Sequence, residues 1–166
     1  MNTDKIYLVG FMTAGKSTVA RALAARLSWR LFDLDGEIEA RERQAVADIF
    51  ATRGEPYFRQ VERETLARIV PIRHAVVATG GGTFVDPINR AAILADGCSI
   101  WLDVTFNDVV VRLPPDGRRP LAASRADMEA LFHARRAAYQ LAHLRIDTTT
   151  TPVPEIIEHI LDRLDW

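Results

Sequence analysis

With 166 residues, 48% of them hydrophobic and 26% charged, the chain has the make-up of one compact domain and not of a disordered protein. A chain of this size buries ~70% of the surface that it exposes when unfolded, so it needs no disulfide or metal to hold it together. Its formal charge of −1 argues against a general nucleic-acid binder, which carries a basic excess. No apolar run approaches the ~20 residues of a membrane span. The opening residues 1–5 carry no signal-peptide pattern. Cys98 is the single cysteine, so no disulfide forms within the chain. It stands in the apolar stretch Cys98-Ser99-Ile100-Trp101-Leu102 and reads as core in preference to a reactive thiol. A reducing, cytoplasmic setting is expected.

Residues 5–10 form a short apolar run ending in glycine, the pattern of a buried strand. Residues 18–27 follow, with Val19, Ala22, Leu23, Ala24 and Leu27 at helical spacing. Residues 31–32 read as a second strand, closed by a turn at 33–36. Helical patterns then cover 37–42 and 46–51. Gly54 stops the latter, and Pro56 suits the first turn of a longer helix reaching Ile69. Residues 74–79 form the next buried strand and end in Gly80-Gly81-Gly82. Residues 87–94 are helical and 99–104 strand. Residues 105–113 are helical until Pro114-Pro115 halts them. The segment 114–125, with three prolines, one glycine and three arginines, reads as a loop or mobile flap. An amphipathic helix at 126–141, a short strand at 144–146 and a helix at 154–164 complete the chain.

Strands that alternate with helices require crossover connections, hence a parallel sheet and an α/β fold. Ligands of such sheets sit beyond the carboxyl ends of the strands. Three punctuation clusters, at 10–17, 33–36 and 80–82, follow strands in this way. Without an internal repeat or an interior linker, residues 1–166 are expected to form a single domain.

The segment Gly10-Phe11-Met12-Thr13-Ala14-Gly15-Lys16-Ser17 fits the phosphate-loop pattern G-x-x-x-x-G-K-[ST], and Thr18 follows it. Glycine lets backbone amides wrap a phosphate, lysine reaches the β and γ phosphates, a hydroxyl serves Mg²⁺, and a helix start faces the anion. A chance match in a chain this long is on the order of one in two hundred, and the strand before and helix after are the context that the motif needs.

Asp33-x-Asp35 closes the second strand. An Asp before a helix is an ordinary N-cap. Beside a phosphate loop, the pair is also placed to serve Mg²⁺ and a substrate hydroxyl. Phe58-Arg59-x-x-Glu62 is by itself a common helical i, i+3 pair. Three of the nine glycines stand together at 80–82, where the backbone must approach something closely or adopt φ > 0. Arg118-Arg119-Pro120 is either a solvated basic loop or an arginine that closes over a transferring phosphoryl group. Arg135 and Arg136 read as a solvated helix face. The four histidines lack metal-ligand spacing, and the absence of Asn-Lys-x-Asp argues against a GTPase switch.

In order, these residues resemble the shikimate kinase family along nearly the whole chain. The matches are the phosphate loop at 10–18, Asp-x-Asp at 33–35, Ile-Phe…Gly-Glu…Phe-Arg…Glu at 49–62 and Ala-Thr-Gly-Gly-Gly at 78–82. Arg-Pro-Leu at 119–121, Arg-x-x-x-Tyr at 135–139 and Ile-Asp at 146–147 continue them. The resemblance implies a P-loop kinase of the nucleoside-monophosphate-kinase type: a three-layer sandwich with a five-stranded parallel sheet, helices on both faces and a mobile lid at about 113–125. It implies phosphorylation of the 3-hydroxyl of shikimate by ATP with Mg²⁺, in the pathway to chorismate and the aromatic amino acids.

By the same resemblance, Thr13, Ala14, Gly15, Lys16, Ser17 and Thr18 hold the ATP phosphates and Arg112 lies along the adenine. Ser17 and Asp33 serve Mg²⁺. Lys16, Asp35 and Arg119 act in catalysis, Asp35 on the reacting hydroxyl and Arg119 from the lid. Arg59 and Arg135 grip the shikimate carboxylate, and Gly81 and Gly82 contact the ring substituents. The implied partners are shikimate and ATP, with no nucleic acid or membrane, and the protein is expected to be a monomer.

The sequence departs from the family pattern at Thr13, where many members have glycine. It departs again in a proline-rich lid and in Arg135-Arg136-Ala137-Ala138-Tyr139, which lacks the usual Pro-Leu and favours Arg135 over Arg136. Pro152 and Pro154 both stand near the expected adenine site. The rival readings are a kinase for another hydroxylated acid such as gluconate and a nucleotide-binding paralogue without turnover.

Overall fold

The computed structural model describes residues 3–113 and 124–164; Arg118, Arg119 and most of the expected lid lie outside them. Five strands, β1 (Lys5–Val9), β2 (Arg30–Asp33), β3 (Ala75–Ala78), β4 (Cys98–Asp103) and β5 (Leu144–Asp147), form one sheet. All pairings are parallel and the order is β2-β3-β1-β4-β5. In register, Ile6 lies between Val76 and Cys98.

Every residue of β1, β3 and β4 is buried. Successive side chains of a strand point to opposite faces, so burial throughout means that both faces are covered. The edge strands β2 and β5 are partly exposed and more polar. The described helices are α1 (Lys16–Leu27), α2 (Leu34–Glu42), α3 (Val46–Ile69), α4 (Pro87–Asp96), α5 (Phe106–Val111), α6 (Arg125–Tyr139) and α7 (Val153–Leu164). Together they enclose one contiguous core. Among the described residues, no helix is long and apolar enough to cross a membrane.

Two boundaries differ from the sequence expectation in a way that matters for function. Helix α1 starts at Lys16, two residues before the apolar periodicity begins, because the lysine and serine of the phosphate loop already belong to its first turn. Residues 34–36 are not a turn: α2 starts at Leu34, directly after β2, with Asp33 as its N-cap accepting from the Gly36 N–H. Asp35 is therefore carried on a helix and not on a loop. The break at Gly54 (φ 78°, ψ 169°) falls where glycine placed it, and it divides α3 into two helical stretches. Cys98 is fully buried, and burial pushes its thiol pKa up to about 11, which leaves it unreactive.

At the sheet end away from the phosphate loop, the fully buried Lys5 Nζ donates to Ile69 O, Val70 O and Asp96 Oδ2. Asp96 also accepts from Tyr7 OH and Arg73. This network anchors β1 to the ends of α3 and α4.

Candidate active site

All strands run the same way, so the clusters that follow β1, β2 and β3 meet at the carboxyl end of the sheet. The loop after β1 begins at Gly10, whose φ is 140° and where a Cβ would lie 2.7 Å from Leu102 O. Only glycine fits there. Gly15, at φ 92°, is the N-cap of α1 and has no side chain to cap it, so the amides of the first turn face outward as an anion site. Lys16 Nζ donates to Gly10 O (2.9 Å) and Phe11 O (2.7 Å), within the same loop. Ala14 is buried beneath it, and Thr18 is exposed on the first turn of α1.

Thr13 adopts φ 58°. A β-branched residue is strained there by ~1–3 kcal/mol, and the Oγ1–Val109 O contact of 3.4 Å that it gains is long. Thr13→Gly is therefore expected to stabilise the protein by about 1 kcal/mol, after the ~0.5–1 kcal/mol entropic cost of glycine. Thermal unfolding checks this, and a loss of similar size would show that the hydroxyl contact outweighs the strain.

Asp33 makes two contacts, of which the helix cap was expected from the sequence. Its Oδ1 caps α2 at Gly36 N (3.5 Å), while its Oδ2 accepts a 2.6 Å hydrogen bond from Ser17 Oγ. Serine hydroxyl and carboxylate are thus side by side at the mouth of the phosphate loop. Among the described residues, no group of three or more His, Cys, Asp or Glu is placed to hold a metal by itself. Mg²⁺ sites built on one or two protein oxygens plus substrate phosphates need no such group.

Asp35 lies deeper. Burial pushes its carboxyl pKa up to about 6; Lys16 opposes the rise, and Glu62 and Asp33 add to it. Its Oδ1 shares a small space with Thr83 Oγ1 and Glu62 Oε1: a Cβ on Gly80 would lie 2.8, 3.1 and 3.2 Å from them. Glu62 is 0% exposed and holds Arg59 Nη1 at 3.0 Å through one oxygen, while the other accepts from Thr83 Oγ1 at 2.7 Å. The Arg59–Glu62 spacing is the ordinary helical pair of the sequence reading, but burial makes it an orienting contact.

Arg59 and Arg135 line one cleft of ≈ 360 Å³ together with Gly82, Val85 and Leu131. A Cβ on Gly82 would stand 2.6 Å from both terminal nitrogens of Arg59, and one on Gly81 would stand 3.1 Å from Arg135 Nη1. None of the three successive glycines has positive φ. Their common requirement is room for Asp35, Arg135 and Arg59, the nearest side chain to each in turn. Arg135 is 7% exposed, not a solvated face residue, with its guanidinium 5.7 Å from the Phe11 ring centroid. Tyr139, one turn further along α6, donates to Gly81 O. Arg136 turns away to Asp103, so Arg135 is the arginine in the cleft.

Arg112, at the end of α5, donates to Thr148 O (3.0 Å) and Thr149 O (2.9 Å), in the segment that leads to Pro152 and Pro154. Arg119 lies outside the described residues. Sequence reasoning anticipated a close approach at Gly80 but missed Thr83 and the burial of Glu62. Tyr139 had a signal, since i+4 from Arg135 puts it on the same helix face.

A loop shaped for phosphate, opening beside a cleft lined by two arginines, places the protein among the P-loop phosphotransferases that act on small anions. Comparison with known proteins narrows that class. The family model described as shikimate kinase matches residues 12–165. A shikimate kinase from Persephonella marina is 40% identical over 160 residues, covering 96% of this chain and 98% of its own. The structure of a shikimate kinase from Acinetobacter baumannii in complex with shikimate superposes with a TM-score of 0.92 and 32% identity, covering 97% of this chain and 92% of that one. The chain belongs to the shikimate kinase family. A gluconokinase from Sinorhizobium meliloti shares the fold at a TM-score of 0.59, but with 16% identity.

Proposed function

We propose that the protein transfers the γ-phosphoryl group of ATP to the 3-hydroxyl of shikimate. The observation that carries this reading is the alignment of three neighbours along 80–82: Asp35 against Gly80, Arg135 against Gly81 and Arg59 against Gly82. Shikimate offers a carboxylate and ring hydroxyls, which suit a guanidinium pair and a hydroxyl-directed carboxylate at that spacing. Gluconate is also a hydroxylated acid, but the family assignment favours shikimate.

The reaction follows from these groups. Arg59 and Arg135 hold the substrate carboxylate, which turns the ring hydroxyl towards Asp35. Asp35, ionised above about pH 6, accepts a hydrogen bond from that hydroxyl and takes its proton as the oxygen attacks phosphorus. The new O–P bond forms as the bond from the γ-phosphorus to the bridging oxygen breaks, and ADP leaves. Amides of the phosphate loop hold the leaving phosphates, and Lys16 moves from the carbonyls of Gly10 and Phe11 onto them. Ser17 and Asp33 form an oxygen donor pair that fits Mg²⁺. When bound, the ion neutralises phosphate charge. Arg112 is assigned to the adenine side, and Arg119, outside the described residues, to the phosphates. The reading includes a single domain, supported by the contiguous core of the described residues, that works as a monomer in the cytoplasm.

ADP release with MgATP and shikimate, against gluconate and no acceptor, with mass detection of the product, tests the activity. Shikimate-dependent release with a singly phosphorylated product is expected, and ATP binding without stimulation by shikimate would overturn the reading. Arg135→Ala is expected to raise KM for shikimate by about 10–10²-fold and to leave KM for ATP within about threefold, since it removes a charge-assisted contact to one substrate only. Arg59→Ala is expected to act in the same direction. It also leaves the buried Glu62 unpaired, so a loss of stability accompanies it. Equal effects on both KM values would sink the carboxylate assignment.

A further inference from the structure

We infer that Arg136, held by Asp103, is a positioning residue that sets the affinity for the acidic substrate by fixing the roll of α6, without touching the substrate. The inference rests on the assignment of Arg135 to the substrate carboxylate.

Asp103 is the last residue of β4 and is 6% exposed. Its carboxylate takes a two-pronged contact from Arg136, Nη1 to Oδ1 at 2.7 Å and Nη2 to Oδ2 at 3.1 Å. Arg145 adds Nε and Nη2 contacts to Oδ2 at 2.9 and 2.7 Å. The Arg136 guanidinium also lies 4.9 Å from the Trp101 ring centroid and 5.5 Å from that of Phe132. A planar fork held by both carboxylate oxygens and by aromatic rings has little freedom, which a lysine could not reproduce.

Arg135 and Arg136 are consecutive on α6, so their side chains leave the helix about 100° apart. Pinning Arg136 to the end of β4 therefore sets the direction in which Arg135 points. That direction has a small tolerance. Arg135 Nη1 would stand 3.1 Å from a Cβ on Gly81, and its guanidinium packs on Phe11. A roll of α6 by a few degrees moves a long side chain by a substantial part of an ångström, enough to spoil a two-point grip on a carboxylate. Without Asp103, moreover, Arg136 on α6 and Arg145 on β5 would lose the anion that neutralises them.

The nucleotide side is insulated from this effect. Asp103 reaches it through its backbone carbonyl, which accepts from Thr148 N (2.8 Å) and Thr148 Oγ1 (3.0 Å). Changes to the Asp103 carboxylate or to Arg136 leave those bonds in place, so the effect falls on one substrate.

Initial rates in both substrates test the inference with Arg136→Met, Arg136→Lys and Asp103→Asn, each checked for folding by thermal unfolding. Arg136→Met is expected to raise KM for shikimate about tenfold, with kcat and KM for ATP within about twofold of the parent. Arg136→Lys, which keeps the charge but not the fork, is expected to recover part of the loss. In an Arg135→Ala background, Arg136→Met is expected to add nothing, because it acts through the side chain already removed. If Arg136→Met does not fold, the isosteric Asp103→Asn is read by the same criteria. An unchanged KM for shikimate in a folded variant, or an effect that simply adds to that of Arg135→Ala, overturns the positioning role. A parent protein without shikimate-dependent turnover overturns the substrate assignment and this inference with it. A parent that turns over beside an indifferent variant overturns the positioning role alone.

Discussion

Asp35→Asn is expected to lower kcat by about 10²–10⁴-fold and, at the same time, to make the protein more stable above pH 6. The first effect follows from the role proposed for Asp35, as the group that takes the hydroxyl proton. The second follows from where that group sits. Burial lifts the Asp35 carboxyl pKa from 3.8 to about 6, so the folded protein holds its proton more tightly than the unfolded chain does. The contribution of this group to stability is thus fully present below pH 3.8 and is lost as pH rises through about 6. An asparagine of the same size carries no charge to desolvate. The variant should therefore gain relative to its parent above pH 6, by at most about 3 kcal/mol for a shift of about two units. Below pH 4 the gain should vanish. Thermal unfolding of both proteins across pH 4–8 measures it, and a variant less stable than its parent at pH 7.5 would contradict the cost of the buried charge. The same ionisation gives kcat/KM of the parent an acid limb near pH 6.

Lys16→Met is expected to reduce kcat by at least about 10²–10³-fold, the size of effect seen when one preorganised donor to a developing charge is lost. The fold should survive, because the Nζ contacts to Gly10 O and Phe11 O lie within a partly buried loop and contribute about 1–2 kcal/mol. A folded variant that keeps half its activity would refute the phosphate-loop role. Residual activity carries a second signature. Lys16 holds the Asp35 pKa down against burial, so its removal should move the acid limb of kcat/KM above pH 6.

How far the sequence could be read depends on the range of the forces involved. The phosphate loop was legible because its demands are local: Gly10 and Gly15 supply backbone conformations that other residues avoid, and Lys16 and Ser17 open the helix that follows. The same holds for the break at Gly54, for the buried strands β1, β3 and β4, and for Asp33 as an N-cap. The start of α2 was misplaced because a capped β2 runs straight into the helix, and Gly36, read as a turn residue, donates to the cap instead.

What sequence by itself determined, then, is the parallel α/β architecture, the phosphate-loop pattern and the set of residues from which the proposed site is drawn. The tertiary structure alone decided how they are used. It seated Arg135, already favoured by the sequence, in the cleft while Arg136 went to Asp103, turned an ordinary Arg59–Glu62 helix pair into a buried orienting contact, and showed that the glycines at 80–82 serve space and not positive φ. Backbone preference and hydrophobic period act over a few residues, so they are written along the chain. Which side of a helix faces a cleft is set by partners such as Asp103 and Phe11, brought from distant segments only when the sheet assembles.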